Sequence, residues 1–257
     1  MPQPHDLGKD PVAAARAVTH ALREVLGDEL FAVYLHGSAV LGGFRWDRSD
    51  LDVLAVSRTA LSDDQVRLLA DALGGLSYPD NGLEFTLMTA QEAAAPETAA
   101  PRFQLHTTTA GRDRHGRVVD GRTRSGDRDL VLHLAVCRER GLALFGPPAT
   151  VVMAQIPSRI LLLAMRDEIR WAADNAPLEY LVLTSARAWL FAETHRMASK
   201  IEAGEWAAAR YDDAVVIEAA LRRQRGADAK MASDAANRLA AQVDGVIARL
   251  SEPGSAP

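Results

Sequence analysis

Hydrophobic positions change period repeatedly over the first half of the chain and settle into a single period over the second. Within Pro11–Leu26, Val12, Val18, Leu22, Val25 and Leu26 recur among alanines at helical spacing, and Gly27 stands where such a helix would end. Leu30–Leu35 is an apolar run of strand length, with His36-Gly37-Ser38 as its turn. Residues 51–56 predict a second strand, 63–73 a helix closed by Gly74-Gly75, and 83–88 a third strand. This alternation predicts an α/β (α+β) domain with a small mixed sheet over residues 1–150.

Residues 107–128 are rich in arginine and glycine and carry neither period, which predicts a long loop or a poorly formed hairpin, a candidate wall for a substrate cleft. After Asp129 the helical period dominates, with breaks at Gly146-Pro147-Pro148, Pro157, Pro177 and Gly226. Ser158 is placed to cap a helix reaching Ala172; residues 178–197 predict a second helix and 228–250 a last long one. Residues 151–257 therefore read as an all-α helical bundle domain, with residues 252–257 as a frayed tail.

Composition narrows the setting. A chain of 257 residues, 48% hydrophobic and 25% charged, has the material for two ordinary folded domains. The single cysteine, Cys137, excludes an internal disulfide framework and fits a reducing compartment. The amino terminus has no charged segment followed by an apolar run, and no stretch is apolar enough to span a membrane, so the expected location is cytoplasmic. A net charge of −5 speaks against nucleic-acid binding and suits a small cationic partner.

The chemistry concentrates in Leu35-His36-Gly37-Ser38, then Asp50-Leu51-Asp52-Val53, and later Leu83-Glu84-Phe85. Asp50 and Asp52, two apart on a predicted strand, project from one face while Leu51 and Val53 pack behind them. Like charges this close call for a cation, and hard oxygen ligands suit Mg²⁺. Glu84 alternates with Leu83 and Phe85, so three carboxylates converge if the two strands are neighbours. Phosphoryl transfer requires that arrangement: metal to neutralise a triphosphate and a base for the attacking hydroxyl. Gly37 allows close backbone approach to phosphate, and Ser38 can donate to it.

This pattern resembles the DNA polymerase β-like nucleotidyltransferase superfamily, whose signature is Gly-Ser, a spacer, Asp-x-Asp between apolar residues and a third carboxylate on a later strand. A closer resemblance, to the streptomycin/spectinomycin (3″/9) aminoglycoside adenylyltransferase family, covers most of the chain. It is carried by Tyr34 to Gly43 with Ser49 to Asp52, by Asp127-Arg128-Asp129-Leu130 with Ala143 to Pro147, and by Leu183-Thr184-Ser185-Ala186-Arg187-Ala188-Trp189 with Ser199-Lys200 and Glu205-Trp206-Ala207. The resemblance implies Mg²⁺ held by Asp50, Asp52 and Glu84, with Glu84 also as general base. It implies ATP as co-substrate, contacted by Gly37, Ser38, Ser49, Asp129, Arg187 and Lys200, with the active site between the domains. The aspartate pair of the family's streptomycin enzymes stands here as Ala173 and Pro177, and no tryptophan lies between Gln104 and Arg117, so the likeness stops short of those substrate contacts.

The expected activity is transfer of AMP from Mg-ATP to a hydroxyl of an aminoglycoside or aminocyclitol antibiotic, which confers resistance. The alternatives are AMP transfer to a protein or tRNA, as in toxin–antitoxin nucleotidyltransferases, and a non-catalytic nucleotide-binding module. None of the seven histidines has zinc-ligand spacing with another or with Cys137; His133 and Cys137, four apart on a predicted helix, read as core. His36, beside Gly37, is placed to touch the nucleotide.

Overall fold

The computed structural model describes residues 10–96, 100–108 and 117–251. It divides into two compact units, Met1–Gln155 and Ile156–Pro257.

In the first unit, helix α1 (Pro11–Leu26) begins where the Asp10 side chain accepts from the Val12 N–H at 2.9 Å and Pro11 fills the first turn; it ends at Gly27, with φ +53°. Strand β1 (Leu30–Leu35) runs into the short helix α2 (Ser38–Leu41), followed by β2 (Leu51–Ser57), α3 (Asp63–Gly74) and β3 (Leu83–Thr89). A capping box of Ser62 and Gln65 starts α3, and one of Thr89 and Glu92 starts α4 (Ala90–Ala94). Then come β4 (Leu105–Thr108), β5 (Arg117–Asp120), α5 (Leu130–Arg140), β6 (Leu142–Phe145) and α6 (Ala149–Val152).

The six strands form one sheet in the order β5-β4-β3-β2-β1-β6. Only β2 and β3 are parallel, as the α3 crossover between them requires, so the sheet is mixed. Pairing of β4 with β5 shows that the arginine-rich stretch forms a hairpin-like ladder on both sides of residues 109–116, which lie outside the described residues. Strand β6, in a region that reads as helical from sequence, completes the other edge against β1. Alternation is absent there because Leu142, Ala143, Leu144 and Phe145 are all apolar.

One face of the sheet is sealed by α1 and α3. Ala15, Val18, Leu22 and Leu26 of α1, and Leu69 and Leu73 of α3, pack on Val33, Leu35, Val53, Ala55, Phe85 and Leu87. Full burial of each such large aliphatic side chain contributes about 1.5–3 kcal/mol. This anchored face fixes which residues appear on the other.

The second unit contains α7 (Ser158–Asn175), α8 (Leu178–Thr194), α9 (Lys200–Ala208), α10 (Ala214–Gln224) and α11 (Ser233–Leu250). Ser158 lies inside α7 and Pro157 holds the cap position, so Ser158 is not the cap that the sequence predicts. The long last helix starts at Ser233 rather than 228, and the tail 252–257 is outside the described residues. Among the described residues, no helix is long and apolar enough to cross a membrane.

Candidate active site

Because side chains alternate along a strand, sealing the odd-numbered face turns the even-numbered residues to the opposite side. In register across four strands these are Tyr34 and His36, Asp52 and Leu54, Glu84 and Thr86, and His106: Tyr34 pairs with Leu54, Asp52 with Glu84, and Thr86 with His106. The polar members gather at the end of the sheet where β2 and β3 begin. Asp50 directly precedes β2.

The three predicted carboxylates do converge: one oxygen from each of Asp50, Asp52 and Glu84 lies within 4.8 Å of the others. Asp52 is buried, at 8% exposure, while Asp50 and Glu84 are part-exposed. Burial, followed by the charges of Asp50 and Glu84, raises the Asp52 pKa well above the usual carboxylate value; His133 and the Ser38 backbone N–H act in the opposite direction. A cluster of this kind lowers its own energy by taking up positive charge.

Gly37 has φ +62° and ψ −143°, and an added Cβ would stand 1.8 Å from Asp52 Oδ2. Only glycine fits against the carboxylate. The His36 N–H donates to the Asp52 carbonyl at 3.0 Å, which ties the turn to β2. Ser38 Oγ is buried without a hydrogen-bond partner in the described structure, an unusual position for a hydroxyl unless a ligand completes it.

Histidines contribute more than their spacing suggests. His133, on the first turn of α5, places Nε2 at 3.6 Å from Glu84 Oε1, and its ring meets that of His36 edge-on at 5.6 Å. Burial would lower the His133 pKa, but Glu84, Asp52, Asp129 and Asp50 together overcome it and raise the value. Burial, helped by His133, pushes His36 well below the ordinary histidine range. His106 Nδ1 is 2.9 Å from Thr86 Oγ1, on the same face. The even-numbered alternation could have disclosed His106, but the helical position of His133 opposite Glu84 has no local sequence signal.

The remaining predicted contacts are spread over both units. Ser49 Oγ accepts from the Arg45 N–H at 3.0 Å and closes the 45–49 loop ahead of β2. Asp129 occupies the N-cap position of α5, and its charge acts on His133. Arg187 lies in α8. Lys200 opens α9, with Nζ 3.9 Å from the Tyr180 ring centre, a cation–π contact inside the helical unit.

Residues 151–249 match the family described as the aminoglycoside adenylyltransferase C-terminal domain. The chain is 29% identical over 209 residues to spectinomycin 9-adenylyltransferase of Staphylococcus aureus, covering 78% of each chain. It is 28% identical over 218 residues to aminoglycoside (3'') (9) adenylyltransferase of Klebsiella pneumoniae, covering 77% of this chain and 81% of the relative. The crystal structure of spectinomycin adenyltransferase AAD(9) from Enterococcus faecialis with ATP and spectinomycin superimposes with a TM-score of 0.71 at 20% identity, over 92% of this chain and 98% of that one. The nucleotidyltransferase fold is thus shared. The helical half thus matches the aminoglycoside adenylyltransferase C-terminal domain, and relatives named as adenylyltransferases align with the chain across both halves.

Proposed function

We propose that this protein transfers AMP from ATP to a hydroxyl of an aminoglycoside or aminocyclitol antibiotic of the spectinomycin type, with Mg²⁺, and so confers resistance. The observation that carries the reading is the pairing of Asp52 with Glu84 across parallel strands, which brings three carboxylates together beside Gly37 and Ser38. The named activities of the relatives support it.

The donor set fits Mg²⁺: three carboxylates, one of them held against ionisation by its burial and then by its acidic neighbours. Asp50 and Asp52 would hold the ion, with Glu84 at its edge. Bound Mg²⁺ supplies charge neutralisation for the triphosphate. The chain's own groups supply the rest. Gly37 leaves room for the Asp52 carboxylate against the phosphate-binding turn, and the orphaned Ser38 hydroxyl donates to a phosphate oxygen. Ser49 and Asp129 are further nucleotide contacts in this reading. Arg187 and Lys200 compensate phosphate charge, as the family resemblance implies.

Glu84 accepts the proton of the acceptor hydroxyl as that oxygen forms its bond to the α-phosphorus; the bond from α-phosphorus to the bridging oxygen breaks, and pyrophosphate leaves. His133 Nε2, at 3.6 Å, is the imidazole neighbour of that carboxylate. The overall negative charge suits an amino-bearing acceptor. Pyrophosphate release with Mg-ATP, measured against spectinomycin, streptomycin, lincosamides and protein extracts, tests the proposal. Release that depends on an aminocyclitol or aminoglycoside supports it; release driven only by protein extract assigns the chain to protein modification instead.

A further inference from the structure

The carboxylate cluster has a second constellation fused to it. His36, Asp52 and His133 also bring one ligand atom each within 4.8 Å of one another. Two of the three donors are imidazole nitrogens, and the set is more enclosed than the all-oxygen one: His36 is 3% exposed, Asp52 8%, and the His133 side chain 24%. The donors come from three elements. His36 directly follows β1, Asp52 lies on β2 and is tied to His36 through the backbone bond of 3.0 Å, and His133 descends from α5. Such donors are preorganised by the bond that ties the turn after β1 to β2 and by the α5 helix.

Donor type decides which ion such a site selects. Mg²⁺ binds oxygen and releases its water reluctantly, so two imidazoles in an enclosed space serve it poorly. Zn²⁺ and Co²⁺ accept imidazole with carboxylate readily, in tetrahedral arrangements that need few waters. Glu84 Oε1, 3.6 Å from His133 Nε2, adds a negative charge that favours a cation beside this imidazole.

We propose that His36, Asp52 and His133 form a transition-metal site of the zinc type, distinct in its nitrogen donors from the carboxylate cluster and overlapping it through Asp52. Because Asp52 belongs to both sets, zinc at this site withdraws a ligand from Mg²⁺ and inhibits transfer. That last consequence rests on the proposed function; binding itself does not.

The test uses the full chain stripped of metal, titrated with Co²⁺ in the presence of excess Mg²⁺ and then with Zn²⁺. The expected result is an intense visible absorption typical of four-coordinate cobalt with nitrogen ligands, saturating at one equivalent and abolished by Zn²⁺. His133→Gln and His36→Asn should each weaken Zn²⁺ binding by at least about tenfold, the scale on which metal-site substitutions act. Asp50→Asn, which removes a nearby charge but no donor of this set, should weaken it clearly less than His133→Gln does. Circular dichroism of each variant establishes that it is folded. A weak cobalt spectrum with oxygen ligands alone would overturn the proposal. So would Zn²⁺ affinity that survives His133→Gln or that falls equally in Asp50→Asn, since either places the ion among the carboxylates. In pyrophosphate release, zinc should inhibit the wild type at lower concentrations than it inhibits His133→Gln. Equal inhibition of the two would remove the regulatory consequence, whereas absence of turnover in the wild type would count against the proposed function and leave the binding result standing.

Discussion

Gly37→Ala perturbs the site through one atom. The new Cβ would meet Asp52 Oδ2 at 1.8 Å and Cγ at 2.3 Å, and real Cβ contacts stay beyond 3.0 Å, so the carboxylate must retreat by about 1.2 Å or the turn must move. The backbone angles, φ +62° and ψ −143°, add strain of about 1–3 kcal/mol for a residue with a side chain. At about 2–4 °C per kcal/mol for a chain of this size, the melting temperature should fall by about 2–12 °C. Misplacing a catalytic group by about 1 Å costs about a hundredfold in rate, so turnover should fall by that much or more in protein that remains folded. Both are measurable on one preparation, by thermal denaturation and by pyrophosphate release at saturating Mg-ATP and antibiotic. In an Asp52→Ala background the two closest contacts are gone, and the destabilisation by Gly37→Ala should shrink toward the backbone cost alone. Wild-type turnover in Gly37→Ala, or undiminished destabilisation in the Asp52→Ala background, would refute the claim that this glycine exists to seat Asp52.

Asp52→Asn should abolish transfer and, without metal, raise the melting temperature at neutral pH. The folded pKa of Asp52 is raised above the unfolded value of about 3.9, so its contribution favours folding below about pH 4 and is lost as pH rises through the folded value. The advantage of Asn over Asp should therefore shrink as pH falls toward 4, which melts across a pH series would show. Glu84→Gln keeps shape without basicity, so turnover should fall by about two to four orders of magnitude while ATP binding persists, as calorimetry would record. Arg187→Ala and Lys200→Ala should each raise the Michaelis constant for ATP with a smaller effect on that of the antibiotic, separable by steady-state kinetics.

Much of this site was legible because strand alternation is a local rule. Asp52 and Glu84 stand between apolar neighbours, which turned them to one face, and the parallel register of β2 and β3 then paired them, with Asp50 directly ahead of β2 beside them. Helix α1 was legible to its last residue because Asp10, Pro11 and Gly27 mark its ends. Strand β6 was not, since four apolar residues in a row carry no period and only its pairing with β1 defines it. His133 escaped for a different reason. Zinc spacing in sequence works only when ligands share an element, whereas His36, Asp52 and His133 come from the turn after a strand, a strand and a helix. A polar residue on a helix next to Cys137 gave no hint that it would face Glu84 rather than solvent or core.

The most direct test of the central claim follows the nucleotide itself. Wild-type protein is incubated with Mg²⁺, spectinomycin and ATP labelled at the α-phosphate, and the label is traced by chromatography and mass spectrometry, with Asp50→Asn and Asp52→Asn in parallel. The account predicts that label appears as AMP joined to the antibiotic through a hydroxyl oxygen, in amounts matching the pyrophosphate released, and in neither variant. Label that stays in nucleotide across spectinomycin and the related aminoglycosides, or transfer that survives loss of both aspartates, would contradict it.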